Sequence, residues 1–218
     1  MNAVSNRPDP MFIGESPALD FLNSVAAPKG KVIDWLDTES GLLDWLVKSG
    51  LCTGDELDVF HSEPRTIEQT KALHDIHEFR GAFRTFIERM AGGDAAQPAD
   101  PFIEKINAIL LRGTLTMQIT PPPVDQDRED GATTSGALTT QYQIRQPHDL
   151  LPRIAAACAK FICEADFAFV RNCEGPTCTL YFHDVSKNRK RRWCSMSVCG
   201  NRAKAAAHRK ASATAPEV

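Results

Sequence analysis

The chain has 218 residues, 42% of them hydrophobic and 24% charged, with a formal net charge of -3. This length accommodates one ordinary domain plus a small appendage, and the composition excludes global disorder. No stretch approaches the roughly 20 apolar residues of a membrane helix. The opening MNAVSNRPDPMFIGESP carries prolines and an acid where a secretion signal needs an apolar run, so a cytoplasmic location is expected.

The small net charge hides an asymmetry. Residues 171–210 hold ten Lys or Arg against two acids, Glu174 and Asp184, a net +8; residues 1–170 hold 15 basic against 25 acidic residues, a net -10. An acidic body with a basic end suggests two parts with different partners. Seven cysteines in a cytoplasmic chain are expected to be reduced thiols or metal ligands rather than disulfides.

The body reads mostly as helix. Ser16-Pro17 is a start signal, with Leu19, Leu22 and Val25 on one face and Pro28 and Gly30 as the stop. A second helix is expected from Thr38 to Ser49, with Leu42, Leu43, Leu46 and Val47 inward and Gly50 past its end. A short third covers 54–61, and the longest runs from 66 to 91 on the period of Leu73, Ile76, Phe79, Phe83, Phe86, Ile87 and Met90. Asp100-Pro101 repeats the cap-plus-proline start of a helix that ends near Gly113. The period then changes: TLTMQIT (114–120) and LTTQYQIR (138–145) read as an antiparallel pair joined by a polar, Pro-rich segment. Asp149 opens a last body helix carrying Leu151, Ile154, Cys158, Phe161 and Ile162. The expected class is α+β, mainly helical: a helical domain with a small β-hairpin at 10–170, then a small finger at 171–210 that ends in a helix.

Cys173-x4-Cys178 and Cys194-x4-Cys199 are separated by 15 residues. Zinc takes four ligands in a tetrahedron and thiolates suit it; close pairs bite from two turns. Asn172, Glu174, Gly175 and Pro176 are turn formers around the first pair. A segment this short buries no core of its own, and a metal supplies the missing folding free energy. One structural zinc is therefore expected, with no open position for a catalytic water. Free packed thiols, or a redox switch, are the alternative readings. Cys158 and Cys163 lie about 140° apart around a helix and are not expected to share a metal. His183 and His208 are substitute ligands in principle.

Lys187, Arg189, Lys190, Arg191 and Arg192 crowd the turn before Trp193, and Arg202, Lys204, Arg209 and Lys210 continue the charge on the terminal helix. Such clusters neutralise phosphate backbones. A solvated charged surface and an acidic protein partner, including the chain's own body, are the alternatives.

The stretch CEGPTCTLYFHDVSKNRKRRWCSMSVCGNRAKAAAHR, with Cys199-Gly200-Asn201-Arg202 at its centre, resembles the CGNR zinc finger. FIGESPALDFLNSV resembles the start of the ABATE domain, which precedes that finger in bacterial stress-induced transcription regulators. The resemblance implies one zinc on Cys173, Cys178, Cys194 and Cys199, a DNA-binding role, and a mainly helical domain with a little sheet. Arg191, Arg192, Asn201 and Arg202 match the polar residues around the ligands. The segment 121–136 is long for a simple hairpin in this fold and reads as an insertion.

Asp20 and Asn23 share a helix face, where they line a ligand pocket, bond nearby backbone or face water. His74 and His77 lack further ligands, and Trp35 and Trp45 read as core or interface. With no Ser-His-Asp order, phosphate loop or HExxH, no enzymatic activity is expected. The expected function is a DNA-binding regulator whose N-terminal domain senses a ligand or mediates homo-oligomer assembly. The competing reading is a zinc-stabilised protein-interaction or RNA-binding module.

Overall fold

The structure is a computed structural model that describes residues 7–28, 30–61, 67–93, 100–120 and 136–213. The expected class holds: helices dominate, and the strands form three two-stranded antiparallel sheets. The insertion at 121–136 lies outside the described residues except for Gly136.

Three helix starts follow the capping logic of the sequence. Helix α1 (Pro17–Asn23) is capped by Ser16, α2 (Glu39–Lys48) by Thr38 and α5 (Pro101–Leu110) by Asp100, each side chain accepting a backbone N–H of the first turn. Between them lie α3 (Gly54–His61) and the long α4 (Ile67–Met90).

Two expectations need correction. Helix α1 stops at Asn23, and Val25 belongs to a short strand, β1 (Val25–Ala26), paired with β2 (Ile33–Asp34). The cause is at the helix end, where Arg84 Nη2 donates to the carbonyls of Leu22 (2.9 Å) and Val25 (3.2 Å) and so satisfies groups that another turn would have used. On α2, Val47 is 42% exposed and Trp45 takes the inward place at 1%.

Strands β3 (Leu115–Thr120) and β4 (Ala137–Tyr142) pair in continuous register from Leu115↔Tyr142 to Thr120↔Ala137. Helix α6 (Leu150–Glu164) follows. The finger supplies β5 (Val170–Asn172), β6 (Tyr181–His183) and the terminal helix α7 (Asn201–Ala213).

Helix α1 is the hub. Its Ala18, Leu19, Phe21 and Leu22 are fully buried among α4, α6 and β6. Phe21, Phe79, Phe83, Phe86 and Phe102 continue the core as rings 5.0–6.5 Å apart. Leu180, Phe182 and the four finger cysteines belong to the same buried cluster as these body residues. Two buried arginines of the body are paired: Arg80 holds Asp34 through two bonds (2.8 and 2.5 Å) and Ser24 Oγ at 2.8 Å, and Arg153 holds Glu56 at 2.6 Å.

Candidate metal centre and its basic surround

The first cysteine pair sits on a knuckle. Cys178 N–H closes a turn onto the Gly175 carbonyl (2.9 Å), and Gly175 N–H points at Cys173 Sγ (3.5 Å). A Cβ on Gly175 would stand 3.1 Å from both Cys178 Cβ and Cys199 Sγ, so a side chain there crowds the sulfurs. The second pair straddles a wide π-helical turn, Met196–Gly200, in which the N–H groups of Cys199 and Gly200 both donate to the Ser195 carbonyl.

These two turns bring the sulfurs of Cys173, Cys178, Cys194 and Cys199 within 4.8 Å of one another, all buried. Cys178 Sγ and Cys194 Sγ are 3.8 Å apart. A tetrahedral ion with bonds of about 2.3 Å needs edges of about 3.8 Å, so the donor set fits a four-thiolate site. Its surroundings fit thiolate charge too. Cys194 N–H donates to Cys173 Sγ at 3.2 Å and Arg202 Nη2 to Cys199 Sγ at 3.1 Å. Bonds from the Cys178 and Cys194 thiols, and then the backbone N–H groups of Cys194 and Gly175, hold the Cys173 thiol well below the ordinary range. A closed four-thiolate site of this kind leaves no position for a reacting water.

Residues 170–211 match the CGNR zinc finger, and residues 15–165 match ABATE, a family described as a putative stress-induced transcription regulator. The chain belongs to the ABATE family. No curated protein matches it.

In this ABATE protein the expected basic cluster divides in two. Arg191 and Arg202 are structural fasteners. Arg191 Nη1 binds Glu15 at 2.8 Å, its Nη2 donates to the carbonyls of Ile13 and Cys194, and its guanidinium lies 4.4 Å from the Phe182 ring. Arg202 Nη2 joins Cys199 Sγ to the Pro28 carbonyl (2.6 Å). Arg189 donates to the Asp184 carbonyl and stacks on Phe169 at 4.6 Å. Arg192 pairs with Glu174 at 2.5 Å beside the Trp193 ring, but both partners stay largely in water.

Lys187 and Lys190 point outward from the turn. On α7 every residue from Lys204 to Arg209 is exposed, Ala205, Ala206 and Ala207 included, so the helix stands off the body. Lys210 lies on α7 too, with its side chain outside the described set.

Asp184 is the residue that sequence reasoning missed. Fully buried, it accepts from Ser186 N–H (3.1 Å), Ser186 Oγ (2.5 Å) and Arg191 N–H (2.8 Å), and so shapes the whole basic turn. Burial opposes its charge, but these bonds outweigh it and keep the carboxyl below the usual range. The Asp-x-Ser spacing is the signal, since aspartate commonly caps its own backbone two residues on.

Asp20 and Asn23 both bind main chain. Asp20 accepts Gly14 N–H at 2.8 Å. Asn23, 1% exposed, donates to the Tyr181 carbonyl (2.7 Å) and accepts Tyr181 N–H (2.9 Å). Trp35 and Trp45 are core, and His77 contacts the Leu36 carbonyl at 2.7 Å. Of the remaining cysteines, Cys52 and Cys158 are buried and Cys163 is exposed. The His183 ring stands edge-on to Phe161, and neither His183 nor His208 is part of the four-sulfur cluster. Among the described residues no helix is long and apolar enough to cross a membrane.

Proposed function

We propose that this protein is a transcription regulator that binds DNA through a finger built on one structural zinc ion. The observation that carries the reading is the division of the cations. Arg191 and Arg202 hold the finger in place, while Lys187, Lys190, Lys204 and Arg209 face solvent from a metal-fixed turn and a helix that stands clear of the body. Zinc fits because its charge and tetrahedral preference match four thiolates backed by N–H donors. Free lysines and arginines at the end of an otherwise acidic chain attract phosphates and displace counterions. A projecting helix that starts at a metal site can enter a groove.

The N-terminal domain would sense a ligand or mediate assembly in a response to stress. A groove of about 550 Å³ between the body and the finger supports the sensing role. Val25, Ala27, Arg84, Thr179 and Tyr181 line it, and it reaches Cys178. Ligand filling this groove would press on the metal knuckle. The reading contains no catalytic step. The exposure of Lys204 to Arg209 also suits a protein-interaction or RNA-binding module, and labelled single-stranded RNA in the same experiment separates the RNA reading.

Fluorescence anisotropy of zinc-loaded protein against mixed-sequence duplex DNA, from low to physiological salt, tests the proposal. Binding that weakens steeply with salt is expected. In K187Q/K190Q/K204Q/R209Q the log–log salt slope should flatten by about 0.9 for each phosphate that is no longer neutralised. No binding at low salt, or an unchanged slope in the variant, overturns it. Preference for single-stranded RNA over duplex would favour the RNA module.

A further inference from the structure

Residues 171–210 carry two acids, Glu174 and Asp184, against ten Lys or Arg. Asp184 is fully buried, where it shapes the turn. Glu174 is therefore the single acid that this basic segment shows to solvent. It is set squarely against a cation: Arg192 Nε donates to Glu174 Oε2 at 2.7 Å, and Arg192 Nη2 stands 2.5 Å from the same oxygen.

The pair sits on a fixed frame. Glu174 follows Cys173 on the first knuckle, and Arg192 lies two residues before Cys194. Glu174 N–H donates to the Arg192 carbonyl at 3.0 Å, so main chain joins the two residues directly. The Arg192 guanidinium lies 5.1 Å from the Trp193 ring centre, which gives its plane a support. The side chains themselves remain 48% (Glu174) and 61% (Arg192) exposed. An ion pair in water of this kind is weak and weakens further with salt, so another anion can take the place of the carboxylate.

A phosphodiester is the better match. Glu174 answers both Arg192 donors with one oxygen, and its Oε1 accepts no bond among the described residues. A phosphodiester brings the same single charge but two free oxygens, one for each arm of the guanidinium fork. Its neutralisation also releases counterions from the nucleic acid, which a lone carboxylate cannot offer. Lys187 and Lys190 face solvent from the turn that leads into Arg192 and draw a phosphate backbone to this end of the finger.

We propose that Glu174 is a resident stand-in for phosphate: it occupies Arg192 in the free finger and yields it to a backbone phosphate when duplex DNA binds. The inference rests on the DNA-binding reading and deepens it, adding Arg192 to the phosphate contacts and making Glu174 an element of selectivity. A passing phosphate must break the pair and face the repulsion of the released carboxylate. Loose contact is thereby penalised, and a backbone already held by the other cations completes the exchange.

Anisotropy titrations of the full zinc-loaded chain with mixed-sequence duplex DNA, over a salt series, test the exchange. Arg192→Gln should weaken binding and flatten the log–log salt slope by about 0.9, the share of one phosphate. Glu174→Gln should tighten binding about fivefold, the upper end for release of an exposed ion pair. In an Arg192→Gln background, with no pair to break, the same substitution should gain about twofold or less. Both side chains lie in water, so melting temperature and zinc content should match wild type in every variant, which excludes misfolding as the cause. If the wild type binds no duplex at low salt, the DNA-binding reading fails and the inference falls with it. If the wild type binds with a steep salt dependence but Arg192→Gln leaves the slope unchanged, or Glu174→Gln gains equally in both backgrounds, the inference alone is overturned.

Discussion

The carboxamide of Asn23 lies edge-on against the main chain of Tyr181, donating to its carbonyl at 2.7 Å and accepting its N–H at 2.9 Å, 158 residues away in sequence. The amide thus acts as one extra peptide on the edge of β6 and ties the hub helix to the finger. Asn23→Ala leaves a donor and an acceptor buried without partners, each costing about 1–3 kcal/mol. Stability by urea denaturation should fall by about 3 kcal/mol. Asn23→Asp should lose more, because the carboxylate cannot donate and adds a buried charge. A loss below about 1 kcal/mol for the alanine variant would show that the clamp is dispensable.

Arg202 connects the four-sulfur cluster to the body, through Cys199 Sγ on one side and the Pro28 carbonyl on the other. Partners of this kind orient the ligand and temper its charge, and their loss typically costs about 10–100-fold in metal affinity. Arg202→Met keeps the stem and removes both bonds. In a chelator competition the variant should surrender zinc at least about tenfold more readily. Unchanged retention would mean that Arg202 serves only the contact with Pro28.

Some of these relationships are legible in the sequence and others are not, for physical reasons. Caps at Ser16, Thr38 and Asp100 act within three residues, and paired Cys spacing reflects local turns, so both are written locally. Asn23–Tyr181 and Arg202–Pro28 are bonds between distant chain segments, and nothing in either local pattern encodes the partner. Charge alone groups Arg191 with Lys190. Only the fold distinguishes an arginine closed over Phe182 and bonded to Glu15 from a lysine in water. Val25 continues the apolar period of α1 in sequence, but Arg84, some 60 residues on, captures the end of that helix first.

Burial raises the Asp20 carboxyl to about 6 from an ordinary value of 3.8, with the Gly14 and Ile13 backbone bonds opposing the shift. The folded state therefore binds the proton more tightly than the unfolded chain. Stability from this group is present at low pH and falls as pH rises through the window from 3.8 to about 6. Asp20→Asn should remove that dependence while keeping an oxygen to accept Gly14 N–H. Urea midpoints taken from pH 7 down to pH 5 should show wild type gaining on the variant as pH falls. Parallel curves would place the Asp20 carboxyl at its ordinary value.

Removing the metal should destabilise the body as well as the finger. Leu180 and Phe182 are fully buried in the same cluster as the α1 residues, His183 N–H donates to the Gly14 carbonyl at 3.1 Å, and Ala27 N–H to Thr179 Oγ1 at 3.0 Å. Without the ion, four thiols no longer hold the knuckle, and β6 loses the geometry that Asn23 and Gly14 engage. Trp35 and Trp45 are buried in the body and report on it once Trp193, in the finger, is replaced by Phe. Chelation should lower the tryptophan melting midpoint of this variant by about 10 °C or more, since 1 kcal/mol moves a chain of this size by about 2–4 °C. The fluorescence and far-ultraviolet transitions should stay coincident, as one cooperative unit requires. A body transition that ignores the chelator would instead make the finger an independent module, hinged on contacts too weak to transmit metal loss.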